Sequence, residues 1–137
     1  MEKLRALVRF LPDLENPDFK AGSWISPERG PDGVFVLPYT DHSEVVTAFV
    51  EMAYQNGWVL TNFDWPKWAQ TKEASRLRDN ERALSRATSD QLAKLLTVCI
   101  RQDRFVEGAL LEAFESGLIL RIVRRAAALL NADRANR

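Results

Sequence analysis

Three successive stretches with helical apolar periodicity, in the last third of the chain, most constrain the fold. The predicted helices span residues 89–101, then run from Asp103 to Gly117, and finally span 118–130. Thr88 and Gln91 have the spacing of a capping box before the first of them, and Gly117 is a typical helix terminator. Because each helix has one apolar side, that side must be buried against other helices. The sequence therefore predicts a core built mainly from packed helices.

The first half of the chain predicts shorter helices. They span residues 1–12, from Asp41 or Ser43 to about 56, and 64–78. Pro12 is expected to stop the first helix, and Gly57 to follow the second. Asp64 can cap the third, with Pro66 in its first turn.

Short β-prone runs lie between these helices. Residues 24–26 and 34–37 predict a small hairpin, and residues 58–63 predict a third strand beside it. We therefore predict a predominantly α-helical α+β fold, with five or six helices and a two- or three-stranded sheet. Residues 1–137 are expected to form a single domain, with residues 132–137 as a frayed tail.

The composition restricts the available chemistry. Cys99 is the only cysteine and His42 the only histidine, so no intramolecular disulfide and no zinc site of Cys and His ligands is expected. We predict no metal, no cofactor and a cytoplasmic location. Cys99 lies on an apolar helical side, where a thiol usually packs as a small hydrophobe. A catalytic Cys99–His42 pair is therefore not favoured.

Charge is balanced overall but uneven along the chain. The 137 residues contain 19 lysines and arginines and 19 aspartates and glutamates, so no net field favours nucleic acid or anionic membranes. Residues 1–64 contain five basic and ten acidic side chains, and residues 65–137 contain fourteen and nine. Charges at Glu2, Lys3 and Arg5 argue against a signal peptide or membrane span at the start.

Four charged residues crowd the turn between the first two C-terminal helices. They are Arg101, Asp103, Arg104 and Glu107. Arg104 and Glu107 are three residues apart, a helical spacing at which side chains meet. We interpret the four as a partly buried polar cluster in which Glu107 balances Arg104 and Asp103 caps the next helix. Gly108 follows, where a missing side chain allows another chain segment to come close.

Two motifs give the sequence a resemblance. An FDWxxW element contains Phe63, Asp64, Trp65 and Trp68, and an RxDRFxEGxL element runs from Arg101 to Leu110. Over about residues 20–130 the chain resembles a family of small, mainly bacterial proteins known only as a domain of unknown function. The resemblance implies a shared fold, but no activity, cofactor or catalytic residue. A cysteine often precedes the Glu-Gly pair in that family and a histidine often follows it, whereas this chain has Val106 and Ala109.

Three functions remain open. A non-catalytic binding or protein-interaction module is favoured, with a protein partner and no membrane association. Its tentative binding residues are Trp24, Tyr39, Asp64, Trp68, Arg101, Asp103, Arg104 and Glu107, because aromatic rings and charges near loops and helix starts are typical of recognition surfaces.

The two alternatives assign the charges to other roles. In an enzyme, Glu107, Asp103 or Asp64 would act as general acid or base beside an arginine that holds an anionic substrate. No nucleophile–base pair points to a particular reaction, so no catalytic residue is assigned. In a nucleic-acid-binding protein, which we favour least, Arg121, Arg124 and Arg125, with Arg134 and Arg137, would contact phosphates.

Overall fold

The computed structural model describes residues 2–27, 33 and 37–135. Its helices are α1 (Glu2–Val8), α2 (Leu11–Glu15), α3 (Glu44–Gln55), α4 (Trp65–Ala69), α5 (Lys72–Asp79), α6 (Glu81–Leu84), α7 (Ser89–Gln102), α8 (Ala109–Glu115) and α9 (Leu118–Ala135). Its strands are β1 (Gly22–Ile25) and β2 (Tyr39–His42). The predicted fold class, a predominantly α-helical α+β fold, is therefore confirmed.

The three predicted C-terminal helices are present as α7, α8 and α9. Thr88 Oγ1 accepts a hydrogen bond from the backbone N–H of Gln91, and the Gln91 side chain accepts one from the N–H of Thr88. The predicted capping box is therefore confirmed. Gly117 separates α8 from α9 with a left-handed φ of 85°, a conformation that glycine adopts without strain. The second helix starts later than predicted, at Ala109.

The core is centred on α9. Its inward side, including the fully buried Ile119 and Ile122, packs against α1, α2, α7 and α8. Phe49 of α3 joins the core through edge-on contacts with Phe10 and Phe114, with ring centroids 5.2 and 5.3 Å apart. Such contacts add to the stabilisation that burial of the rings already provides.

The structure contains more helical segments than the five or six predicted. The predicted helix 64–78 is divided because Thr71 Oγ1 accepts a hydrogen bond from the N–H of Ala74, which makes Thr71 the N-cap of α5. Pro12 does not end a helix of residues 1–12. It lies in the first turn of α2, where its missing N–H breaks no helical hydrogen bond.

The sheet is a two-stranded antiparallel hairpin in which Trp24 pairs with Thr40 and Gly22 with His42. The predicted strand at 34–37 falls mainly outside the described residues, which do not include 34–36, and Leu37 is not in a strand. β2 instead begins directly after Pro38, whose missing N–H therefore costs the strand ladder no hydrogen bond.

The predicted third strand at 58–63 is wrong. Trp58 is fully buried, and its indole Nε1 donates to the carbonyl oxygen of Lys3 at 2.9 Å. The N–H of Leu60 donates to Thr97 Oγ1 of α7, also at 2.9 Å. The side chain of Thr97 thus takes the place of a neighbouring strand as the hydrogen-bond partner of this backbone. Residues 58–63 therefore pack on the core without joining the sheet.

Candidate functional site

The hairpin lies on the turn between α7 and α8, and Gly108 is the closest point of approach. Gly108 has a φ of 90°, and a β-carbon placed on it would lie 2.3 Å from Cζ2 of Trp24. No other residue type fits here without strain, because both the backbone conformation and the space require glycine. Trp24 remains 52% exposed.

Glu107 holds β2 rather than balancing Arg104. Its carboxylate accepts a hydrogen bond from the Thr40 hydroxyl, which keeps the pKa of Glu107 below its usual value, with smaller contributions from the backbone amides of Thr40 and Gly108. Within the described part of the chain, neither Arg104 nor Arg101 forms a side-chain hydrogen bond or ion pair. The predicted Arg104–Glu107 pair is therefore wrong, and both side chains are exposed.

Asp103 joins the turn to both α8 and the hairpin. One carboxylate oxygen accepts a hydrogen bond from the N–H of Leu110 at 3.1 Å, in the first turn of α8. The N-cap residue of α8 is Gly108 and not the predicted Asp103. The other oxygen lies 3.9 Å from Nε2 of His42. That nitrogen is buried and has no hydrogen-bond partner among the described residues. Of the four residues in the predicted polar cluster, only Asp103 and Glu107 contact strand β2, and none of the four contacts another through its side chain among the described residues. The predicted cluster of mutual contacts is therefore wrong.

The FDWxxW residues are divided between helix capping and the core. Asp64 Oδ1 accepts a hydrogen bond from the N–H of Lys67 at 3.2 Å and caps α4, as predicted. Trp68 is buried, donates from Nε1 to Glu73 at 2.7 Å, and has its ring centroid 6.0 Å from that of Phe63. Tyr39, at the start of β2, is 45% exposed.

An open groove of about 730 Å³ lies between the α4–α5 pair and the α7–α8 pair. Trp65 and Phe105 form part of its rim, with ring centroids 6.0 Å apart. Phe105 and the adjacent Val106 are 75% and 52% exposed, high fractions for apolar side chains that also line a cavity. Phe105 and Val106 therefore form an exposed apolar surface on the same turn that holds the hairpin.

The interior of the groove combines small, apolar and sulfur-containing side chains. Ala69, Ala74, Ala109 and Ala113 all line it. Cys99 lines it as well, and burial raises the pKa of the Cys99 thiol to about 12. The thiol is therefore protonated at neutral pH and is a poor nucleophile.

An arginine pocket of about 280 Å³ adjoins the groove, and Arg121 lines both cavities. Its other basic residues are Arg124 and Arg125. Arg125 Nε donates to the carbonyl oxygen of Ala87 at 2.8 Å, and Arg121 Nε donates to that of Gly117 at 3.3 Å. Arg124 pairs with Glu15 at 3.3 Å. The three arginines of the nucleic-acid alternative thus lie together on one side of α9.

The model of a family of unknown function, DUF6508, matches residues 1–132 of the chain. The chain belongs to the DUF6508 family. The match extends beyond the predicted span of residues 20–130 and includes α1 and α2. Searches of curated proteins and of solved structures found no match. Membership of DUF6508 therefore brings no assigned activity to the groove or to the charged turn.

The part of the chain that the structure describes contains no group of three or more His, Cys, Asp or Glu residues placed to hold a metal ion. No helix within residues 2–27 and 37–135 is long and apolar enough to cross a membrane.

Sequence reasoning missed Thr40 and His42 as partners of the charged turn. They alternate along β2 and pair with Trp24 and Gly22, so these four residues share one side of the hairpin. The alternation of Thr40 and His42 can be recognised only when the strand is placed at residues 39–42. The groove was also missed, because its wall residues are far apart in the sequence.

Proposed function

We propose that this protein is a non-catalytic interaction module whose groove binds a helical segment of a protein partner. The observation that carries the proposal is the pair of exposed apolar side chains, Phe105 and Val106, that line an open groove beside the half-buried Trp65. Aromatic and aliphatic side chains that border a cavity are typical anchors of protein interfaces. Exposure of Phe105 and Val106 side by side costs solvation free energy that a partner would recover by covering them.

The shape of the groove favours a peptide segment. Packed helix pairs form its two sides, and alanines line its interior, so a partner backbone can approach closely. An amphipathic helix fills such a groove with apolar side chains spaced at i, i+3, i+4 and i+7. A small-molecule site more often encloses most of its ligand, whereas here Phe105 is largely exposed to solvent.

The polar groups near the groove support binding rather than catalysis. The thiol of Cys99 has its pKa raised to about 12, which disfavours the nucleophilic thiolate. Asp103 and Glu107 accept hydrogen bonds from Leu110 and Thr40, so the observed contacts of both carboxylates maintain the fold. These contacts give the two carboxylates a structural function that requires no substrate.

The test uses a displayed library of amphipathic helical peptides, with apolar residues at i, i+3, i+4 and i+7 and randomised polar positions, selected on the full chain. Selected peptides should bind the wild type, and Phe105→Ser should weaken that binding by roughly tenfold or more, as loss of an interface anchor does. Phe105 is 75% exposed, so its replacement leaves the core intact.

The matched control is Tyr54→Ser. Tyr54 is a 51% exposed aromatic residue on α3 and does not line the groove. Its replacement should leave peptide binding unchanged. The proposal fails if the selection yields no binding peptide, or if Phe105→Ser binds the selected peptides as tightly as wild type and Tyr54→Ser do.

A further inference from the structure

We infer that the partner segment is acidic, and that its carboxylates bind in the arginine pocket while its apolar side fills the groove. This inference rests on the proposed function of the groove and adds the chemistry of the partner. Its starting point is Arg121, which lines both cavities, so that a segment lying in the groove would place neighbouring side chains at the pocket.

Three arginines of α9 line the arginine pocket. Arg121, Arg124 and Arg125 are spaced at i, i+3 and i+4 on α9, which places them on one side of the helix. Like charges at these spacings repel one another. Within the described residues, only Arg124 of the three forms an ion pair, with Glu15. An anionic group bound in the pocket would remove this repulsion.

Two of the guanidinium groups are already held in position. The Nε atoms of Arg121 and Arg125 donate to backbone carbonyl oxygens, which leaves the terminal nitrogens of both groups as further donors. A planar guanidinium with free terminal N–H groups binds a carboxylate through two parallel hydrogen bonds. Because less side-chain freedom is lost on binding, a held arginine is a better anion ligand than a mobile one.

The surroundings favour a protein carboxylate over a nucleic-acid backbone. Glu81 lines the arginine pocket, Glu15 pairs with Arg124, and Asp79 lines the adjoining groove. A run of phosphates would meet these carboxylates as well as the arginines. A helix with one apolar side and a few acidic residues matches both the apolar groove and the small charged pocket.

The experiment compares three peptides built on one groove-binding sequence from the selection. Positions beside its apolar side carry glutamate, glutamine or lysine, and dissociation constants are measured at low and at moderate salt. The glutamate peptide should bind the full chain roughly tenfold more tightly than the glutamine peptide at low salt, and the lysine peptide more weakly than either. The advantage of glutamate should shrink as salt rises, because salt screens exposed charges.

Two variants then test which arginine produces the preference for the glutamate peptide. Arg121→Gln should remove most of the difference in affinity between the glutamate and glutamine peptides. Arg76→Gln is the matched control, since Arg76 is an exposed arginine on α5 that lines neither the groove nor the arginine pocket. Arg76→Gln should leave the difference in affinity between the glutamate and glutamine peptides unchanged. Circular dichroism of both variants checks that they fold.

The outcomes separate this inference from the proposed function. If glutamate, glutamine and lysine peptides bind equally, and Phe105→Ser weakens all three, the groove function stands and the acidic partner is wrong. If a single-stranded or duplex oligonucleotide binds the protein, and Arg121→Gln weakens that binding instead of the glutamate preference, the pocket serves nucleic acid and the inference is overturned. If the preference for the glutamate peptide is lost in Arg121→Gln but kept in Arg76→Gln, the inference is supported.

Discussion

Trp24 covers Gly108 so closely that a β-carbon on Gly108 would lie 2.3 Å from the indole ring. This contact joins the hairpin to the turn between α7 and α8, and it leaves the opposite side of that turn to form the rim of the groove. The position of Phe105 therefore depends on contacts made by residues that are remote from it in sequence.

Replacing Gly108 by alanine should destabilise the fold for two separable reasons. The left-handed φ of 90° disfavours any β-carbon, a cost of about 1–3 kcal/mol, and the clash with Trp24 adds to it. Gly117→Ala is the control, because Gly117 has a φ of 85° but nothing within 4 Å of an added β-carbon. Urea denaturation should show a larger loss for Gly108→Ala than for Gly117→Ala. Equal losses would mean that Trp24 does not limit the space.

Glu107 should make stability depend on pH in the acidic range. Its pKa is lowered in the folded protein, chiefly by the Thr40 hydrogen bond, so its contribution is present above its usual value of 4.5 and is lost as the pH falls through the folded value. The difference in unfolding free energy between wild type and Glu107→Gln should therefore shrink as the pH falls below 4.5. Arg104→Met, which breaks no described ion pair, should leave that pH dependence unchanged. If the unfolding free energies of Glu107→Gln and the wild type change in parallel with pH, the Thr40 contact is contradicted.

Thr97→Val tests the unusual conformation of residues 58–63. Thr97 is fully buried, and its hydroxyl accepts from the N–H of Leu60 and donates to the carbonyl oxygen of Ala93 at 2.7 Å. Valine has a similar shape but leaves the N–H of Leu60 without that partner, at a cost of about 1–3 kcal/mol. Thr61→Val, on an exposed neighbour, should have little effect on thermal unfolding. Equal unfolding temperatures for the two variants would show that Leu60 finds another acceptor.

Cys99 should react slowly with thiol reagents in the native protein. Burial raises the pKa of its thiol to about 12, so the reactive thiolate is scarce at neutral pH. Labelling followed at neutral pH should be slow for the folded chain and rapid in denaturant, which exposes the same thiol. Equally rapid labelling in both states would show that the floor of the groove opens readily.

Local sequence signals predicted those parts of the fold that depend on neighbouring residues. The helix periodicity and the Thr88–Gln91 capping box are of this kind, as is the Asp64 cap, because each involves residues within four positions of one another. The same local reasoning paired Glu107 with Arg104, three residues away, whereas its partner Thr40 is 67 residues distant in sequence. Strand pairing and groove formation depend on such distant contacts. They could not be obtained from spacing alone.

The turn between α7 and α8 serves two surfaces with different residues. Asp103, Glu107 and Gly108 hold the hairpin, while Phe105 and Val106 face the groove. An insertion of a single residue in this turn would therefore displace both the residues that hold the hairpin and those that line the groove. The hairpin would lose its contacts and the rim would be misplaced. Both the hairpin and the groove therefore constrain the length of this one short turn.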